Sequence, residues 1–400
     1  MARILRATAG AAAWLATAAV LAQPANEPSR ELGSVTIIGR RPSSLPTQIP
    51  TTIEGISAEQ IAVRINATDA EDALKYFPSL LVRKRYIGDY DHATLASRAS
   101  GTGNSARSLV YVDGILISNL LGNGATFTPR WGLVTPEEIE RVDVLYGPFS
   151  AAYPGNSVGA VVDYVTRMPE ELEMHARVAS FSEDFAIYDS EGTYTGRQAS
   201  ASVGDRRGNW SWWLNLNRLD SDAHPVSFAN KLVSLGLVDP GGTAVTGALA
   251  DRNPRNQDWL ILGSTTATHT VQDHAKVKVA YDLPNLSASY TLGWWSNDAQ
   301  RSSATYLRDA AGNPVYEGAI NVDGRRYTLT PADFAPTVGD LAHLIHGLSL
   351  KTDRDGPWSF ELAASLYDYD HDLVRSPTVA LPEAAQGGAG RIADQSGTGW

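Results

Sequence analysis

Three sets of residues in this sequence have types and spacing that could do chemistry. Gly155-Asn156-Ser157-Val158-Gly159 spells G-x-S-x-G, the turn that raises a nucleophilic serine in many hydrolases. That turn needs a strand directly before it and a helix directly after. Here the preceding β-rich run ends near Tyr146, and Val158–Thr166 is rich in β-formers (Val161, Val162, Tyr164, Val165). Ser157 therefore reads as part of a glycine-shaped turn, and no catalytic residue is expected. Asp89-Tyr90-Asp91-His92 recurs as Asp368-Tyr369-Asp370-His371. Carboxylates beside an imidazole suit hard or borderline cations, so Asp89, Asp91 and His92 are candidate contacts to a metal-bearing ligand. Solvated loop residues are the alternative. His343 and His346 lie three apart near the start of a β-rich run, which puts them on opposite faces and makes them a poor chelating pair. There is no phosphate-binding loop, dinucleotide fingerprint or H-E-x-x-H, and no resident metal or cofactor is expected.

Composition narrows the field. The 400 residues carry a formal charge of -11 and no Cys. A polyanion such as nucleic acid is a poor partner for that charge, and disulfides and Cys-ligated metals are ruled out. Arg3 and Arg6 precede an apolar stretch, Ala9 to Leu21, and small residues before Gln23. Residues 1–22 read as a secretory signal peptide, with an uncleaved anchor as the alternative. No other stretch is apolar for 18 residues, so a membrane location would require a β-barrel.

Local signals then divide the chain. Residues 23–46 form a short polar, Pro-containing leader that holds one β-forming island, Ser34-Val35-Thr36-Ile37-Ile38-Gly39. An extended island on a tether can add a strand to a partner's sheet edge, or it can be the first strand of the next domain. Residues 47–169 read as a compact α+β domain. Ser57-x-x-Gln60 and Thr68-x-x-Glu71 are capping boxes; the second opens a helix over Asp69–Tyr76 that Pro78 stops. Ser108–Val112 is a strand ending in the tight-turn pair Asp113-Gly114. Thr135-Pro136-Glu137-Glu138 caps a short helical turn, and Ile139–Tyr146 is a strand closed by Gly147-Pro148.

The stretch Ile139 to Met168 resembles the closing motif of the plug domain of TonB-dependent outer-membrane receptors. Ile139, Glu140, Arg141, Val142, Val144, Gly147, Pro148, Ser150, Tyr153, Gly159, Val161 and Thr166 match it at fixed spacing. Pro154, Ala160 and Asp163 depart from it. Arg98, Arg107, Leu109, Val110, Val112, Asp113 and Gly114 match a second element of the family, and Asp72, Ala73, Leu74 and Pro78 a third. The resemblance implies that Ser34–Gly39 is the TonB box, pairing with the periplasmic energy transducer TonB. It implies that the motif residues shape the plug, and that polar contacts hold the plug inside a barrel. Arg83, Arg85, Arg98, Arg107, Arg141 and Arg167 either face an acidic wall or are ordinary surface charge.

From residue 173 to 400 the period becomes two. Trp210, Trp212, Leu214 and Leu216 oppose Ser211, Asn215 and Asn217, with Trp213 out of phase. Val277, Val279 and Tyr281 oppose Lys276, Lys278 and Asp282. Similar alternation marks Ser287–Trp294 and Trp358–Leu366. A membrane barrel and a soluble sandwich both alternate. Tight turns at 205–208, 282–285 and 353–357 between long polar connections (about 220–259 and 297–342) favour the barrel. Trp294, Trp295, Trp358 and Tyr369 fit interfacial girdles. About eight strands are counted, whereas plugged barrels have about 22, and the Gly-rich run to Trp400 carries no closing strand. The chain therefore reads as the plug and N-terminal barrel part of a longer receptor. Function, as the resemblance implies it, is TonB-energised import of a scarce small-molecule cargo, a ferric siderophore or other metal chelate. The setting is outer-membrane lipid of a Gram-negative bacterium. A passive barrel with a gating plug is the alternative.

Overall fold

The computed structural model describes residues 52–89, 93–99, 101, 107–118, 128–147, 153–155, 157–352, 360–384 and 390–399. The signal, the leader with Ser34–Gly39, Asp91, His92, Pro148 and Trp358 lie outside them.

The N-terminal domain is built on β1 (Ile53–Ser57), helix α1 (Ala58–Arg64), β2 (Leu80–Arg83), β3 (Thr94–Ser97), β4 (Leu109–Val112), β5 (Ile115–Leu116), β6 (Ile139–Tyr146) and β7 (Ala160–Thr166). Five strands pair in the order β1-β6-β7-β4-β5, and β2-β3 form a separate ribbon. Helix α1 starts where the first capping box predicts. The Ser57 N–H donates to Gln60 Oε1 (3.1 Å) and the Gln60 N–H to Ser57 Oγ (3.4 Å). The second box is corrected. A five-residue 3-10 turn, Ala70–Leu74, replaces the helix, and its cap is Asp69 with Asp72. Asp72 Oδ2 accepts from the Thr68 and Asp69 N–H groups at 2.9 and 3.2 Å, while Glu71 turns inward and is 1% exposed. Lys84 bonds both aspartates (2.8 and 2.6 Å), which holds that carboxylate pair on one side and leaves Glu71 to the interior. Strands β6 and β7 are central and buried on both faces. Val142, Val144 and Val162 meet α1 and the short helical turns, while Leu145 and Val161 meet Leu109 behind them. Asp113 (φ 51°) and Gly114 (φ 84°) make the left-handed two-residue turn between β4 and β5.

The second part contains β8 (Glu173–Ile187), β9 (Ser190–Arg207), β10 (Trp210–Ala223), β11 (Ser227–Leu232), β12 (Leu237–Val238), β13 (Thr243–Ala244), β14 (Leu249–Arg252), β15 (Asp258–Leu283), β16 (Leu286–Thr305), β17 (Gly318–Val322), β18 (Arg325–Leu329), β19 (Thr337–Thr352), β20 (Glu361–Ser376), β21 (Arg391–Asp394) and β22 (Gly397–Thr398). Its main sheet runs β21-β20-β19-β16-β15-β10-β9-β8, antiparallel throughout and open among the described residues.

This sheet is inside-out. Its exposed side chains include Met174, Trp210, Trp212, Leu216, Val277, Tyr290, Trp294, Leu348 and Leu366, while Ser211, Asn215, Gln272, His274, Lys276, Lys278 and His343 are buried. A soluble sandwich buries the apolar phase; a membrane barrel turns it to lipid. Register defines the upper limit of the belt. One row crosses the sheet as Val203, Leu214, Val277, Leu292, His346 and Leu366. Two rows higher, Arg218 pairs with Asp273 at 2.8 Å. From Trp210 to Leu216 the belt spans about 20 Å along the strand at ~3.4 Å per residue.

Three expectations about this part change. Trp295 and Tyr369 are not girdle residues. Trp295 faces inward (1% exposed), and Tyr369 bonds Arg130 of the N-terminal domain; Trp294 alone of the described candidates points outward. His343 and His346 sit mid-strand in β19, on opposite faces as the period requires. His343 is buried against Tyr367 (2.9 Å), and His346 meets Tyr290 on the outer face (2.8 Å). The long polar connections are folded. β11 and β14 extend the pairing of β15, and β12-β18-β17-β13 form a separate sheet over a core of Leu260, Leu262, Leu307, Ile320, Tyr327 and Phe334.

Candidate functional site

The N-terminal domain lies against the buried, polar face of the large sheet, and the contacts follow three adjacent strands. On β9, Gln198 donates to the Thr68 carbonyl (2.8 Å). On β10, Asn215 donates to Thr135 Oγ1 (2.7 Å). On β15, every second residue reaches the domain. Gln272 donates to the Gly88 carbonyl (2.9 Å), His274 Nε2 faces the Leu133 carbonyl (3.3 Å), Lys276 meets Glu138 (2.8 Å) and Lys278 meets Asp113 (2.9 Å). Arg177 of β8 adds an ion pair to Glu137 (2.9 Å). Period two on one strand thus delivers a ladder of donors to the carbonyls and carboxylates of the domain.

The two buried ion pairs differ in kind. Asp113 accepts from the Thr166 N–H (2.8 Å), from Thr166 Oγ1 (2.6 Å) and from Lys278, whose Nζ also meets Thr166 Oγ1 (2.7 Å). Burial raises the Asp113 carboxyl, but Lys278 and the Thr166 donors outweigh it and hold it below the usual range. Glu138, fully buried, receives only the Thr135 N–H (2.9 Å) and Lys276 on Oε1, and its Oε2 has no partner. There burial wins over Lys276 and pushes the carboxyl up. Of the two readings of the plug arginines, the acidic wall is not the one seen at these ion pairs: there the wall supplies the cations and the domain the carboxylates. Among the arginines, Arg85 pairs internally with Asp89 (3.2 Å) and Arg141 with Asp143 (2.6 Å).

On β16, β19 and β20 the contact is apolar apart from the Arg130–Tyr369 hydrogen bond. Trp295, Leu341, Ile345 and Tyr367 join the domain's own core. Two glycines permit the approach. A Cβ on Gly132 would collide with Trp295 Nε1, and one on Gly347 with Ile115 Cδ1.

Comparison with known proteins fits this arrangement. Residues 46–161 match the family model of the TonB-dependent Receptor Plug Domain. Residues 46–161 thus form a domain of the TonB-dependent receptor plug type. It is 27% identical over 197 residues to the ferrichrome outer membrane transporter/phage receptor of Escherichia coli strain K12, covering 45% of this chain and 25% of that protein. It is 26% identical over 133 residues to the vitamin B12 transporter BtuB of Vibrio vulnificus strain YJ016, covering 33% of this chain and 20% of that protein. The matches thus span a quarter or less of those relatives. A solved structure with similarity is the ferric yersiniabactin uptake receptor FyuA of Yersinia pestis, at 12% identity and TM-score 0.47, covering 82% of this chain and 49% of that one.

Within the plug, the motif residues act on backbone geometry. The Gly159 N–H donates to the Arg107 carbonyl (2.7 Å), and the Gly147 N–H to the Gly159 carbonyl (3.2 Å). A Cβ on Gly159 would meet the Ser97 and Ser108 hydroxyls at 2.6 Å. Tyr153 packs beside Leu109, Leu145 and Val161. Glu140 is exposed on β6. Ser157 Oγ donates to the Pro154 carbonyl (2.9 Å), and strand β7 follows it where an esterase elbow would need a helix. Asp89 is fully buried, with its carboxylate taken by the Arg85 guanidinium and N–H (2.9 Å). The wall residues Gln198, Asn215, Gln272, His274, Lys276 and Lys278 are the part of the site that sequence reasoning missed. Their only signal is the inward phase of the alternation, which marks a polar face without naming its partner.

Proposed function

We propose that this chain belongs to an outer-membrane importer, energised through TonB, that carries a ferric siderophore or another metal chelate and performs no catalysis itself. The observation that carries the reading is a plug domain docked on the polar face of a sheet whose other face is an apolar belt. In a closed barrel that arrangement would block free diffusion, so a bulky solute would need a device that moves the plug. Ser34–Gly39 would supply the grip by adding a strand to TonB. At about 0.5–1.5 kcal/mol net per interstrand hydrogen bond, six residues make a transient hold suited to repeated cycles. The leader precedes β1 in sequence, and β1 is an edge strand of the plug sheet, paired with β6 alone among its strands. A pull on the leader therefore loads that edge first. One curated relative is named for ferrichrome and the other for vitamin B12, so kinship at this level leaves the chelate open.

The test is uptake of labelled ferric chelates by cells carrying the full-length gene, with and without Ile37→Pro, which removes a ladder donor. Uptake abolished by the substitution, with cargo binding retained, is the expected result. Equal uptake in both strains would overturn TonB energisation in favour of a passive channel.

A further inference from the structure

The plug–wall seam holds one group that its ion pairs leave unexplained. Glu71 is 1% exposed, and its Oε2 has no hydrogen-bond partner. Its own turn adds Asp69 and Asp72, which already share Lys84 at 2.8 and 2.6 Å. The nearby Arg85 is committed to Asp89. From β7, Tyr164 donates its hydroxyl to the Ala70 carbonyl (3.0 Å) and brings no positive charge. An ionised Glu71 would thus add a second uncompensated negative charge to a buried site.

Glu71 lines a cavity of about 30 Å3 between plug and wall, along with Gln198, Asn217, Asp273 and His274. Asp273 is spent on Arg218. Gln198 is oriented by its Nε2 bond to Thr68, which leaves Oε1 unpartnered. His274 faces the Leu133 carbonyl with Nε2; a carbonyl only accepts, so the ring proton sits there and Nδ1 is an unpartnered lone pair. Asn217 Nδ2 also lacks a hydrogen-bond partner. The volume holds a water, which needs roughly 10–15 Å3 by this measure. A water supplies two donors and two acceptors. With Glu71 protonated, the water can accept from it and donate to Gln198 Oε1 and His274 Nδ1; with Glu71 ionised, three acceptors face the water's two O–H donors.

We propose that Glu71 is protonated and, through a water in this cavity, clasps the plug to the wall at Gln198 and His274. Burial, then Asp69, push the Glu71 carboxyl well up, in line with that assignment. The clasp is intact below the folded-state value and opens as pH rises through it, because an ionised carboxylate cannot donate.

The experiment uses the full-length receptor in detergent micelles, as wild type, Glu71→Gln and Gln198→Met. Infrared spectra at neutral pH should show a protonated-carboxyl band that Glu71→Gln removes and Gln198→Met retains. Hydrogen exchange of residues 68–74, corrected for the intrinsic pH effect, should quicken up to about tenfold per pH unit above the transition in wild type and stay flat in Glu71→Gln. No band lost in Glu71→Gln would overturn the proposal, as would an unchanged exchange profile in that variant. Protection of wild type alone by Na+ or Ca2+ at fixed pH would also overturn it, making the site a cation site.

Discussion

Lys276→Met should loosen the plug from the wall by an amount that depends on pH. Lys276 is 2% exposed and Glu138 0%, and the 2.8 Å contact between them is the only ion pair Glu138 makes among the described residues. Methionine fills the same space without the ammonium. An orphaned buried charge of this kind costs about 3–5 kcal/mol. Glu138 has a cheaper route, because it can take up a proton. Against an unfolded value near 4.3, that neutralisation costs about 3.7 kcal/mol at pH 7 and about 1 kcal/mol at pH 5. The smaller penalty always wins, so the destabilisation should fall about fourfold between those pH values. The readout is native-state hydrogen exchange of the Glu138 and Arg167 amides in the full-length receptor, whose bonds to Thr135 (3.2 Å) and Glu138 (2.8 Å) lie at this seam. Adding Glu138→Gln to the variant should restore most of the loss at pH 7. A loss of equal size at both pH values, or none at pH 7, would refute the reasoning.

Other perturbations read other parts of the structure. Gly132→Ala should cost about 1–3 kcal/mol of seam stability through overpacking on Trp295, seen as faster exchange of residues 131–138. Asp113 has a lowered folded value, so its stabilisation is complete above about pH 3.9 and is lost as pH falls through the folded value. Exchange at Thr166 should rise in acid in wild type, whereas in Asp113→Asn it should be fast already at pH 7. Val277→Arg puts a charge mid-belt and should cost about 2–4 kcal/mol in urea titrations in lipid vesicles. Arg218→Ala, above the belt and paired at an exposed site, should cost under about 1 kcal/mol in the same titration.

Much of this was legible in the residues because local chemistry dictated it. Ser57 with Gln60, Thr135 with Glu138, and Asp113-Gly114 each specify a short-range geometry, and each forms. The second cap failed for a tertiary reason: Lys84, twelve residues beyond Asp72, recruits the two aspartates and Glu71 goes inside. Alternation separated the two faces of β10 and β15 correctly, since a one-residue error would invert every side chain. Alternation alone could not say which face met lipid; burial of the lysines decided that. Trp295 and Tyr369 were misread because aromatics near strand ends suit a girdle or a packed lumen equally well, and only phase and neighbours distinguish them. The sheet of β12, β13, β17 and β18 was invisible because its core joins two connections far apart in sequence, with no period to announce it. Lys276 and Lys278 could be placed on the polar face, but their partners lie 138 and 165 residues away.

The seam is unequal around the plug, and that asymmetry bears on how a plug could move without the domain unfolding. Toward β16, β19 and β20 the plug shares its apolar core with Trp295, Ile345 and Tyr367. Parting there exposes apolar surface at about 25 cal/mol per Å2. Toward β8, β9, β10 and β15 the contacts are hydrogen bonds and ion pairs to Thr68, Gly88, Leu133, Thr135, Glu137 and Glu138. Entering water replaces those bonds nearly one for one, which is why each is worth only about a kilocalorie net. A solvent path would therefore open first along the polar strands while the apolar side holds the domain in place. The plug's own β6 and β7, buried on both faces, keep their core throughout. Displacement toward the apolar side then requires neither strand to break, and β1, the edge nearest the leader, is the element free to yield.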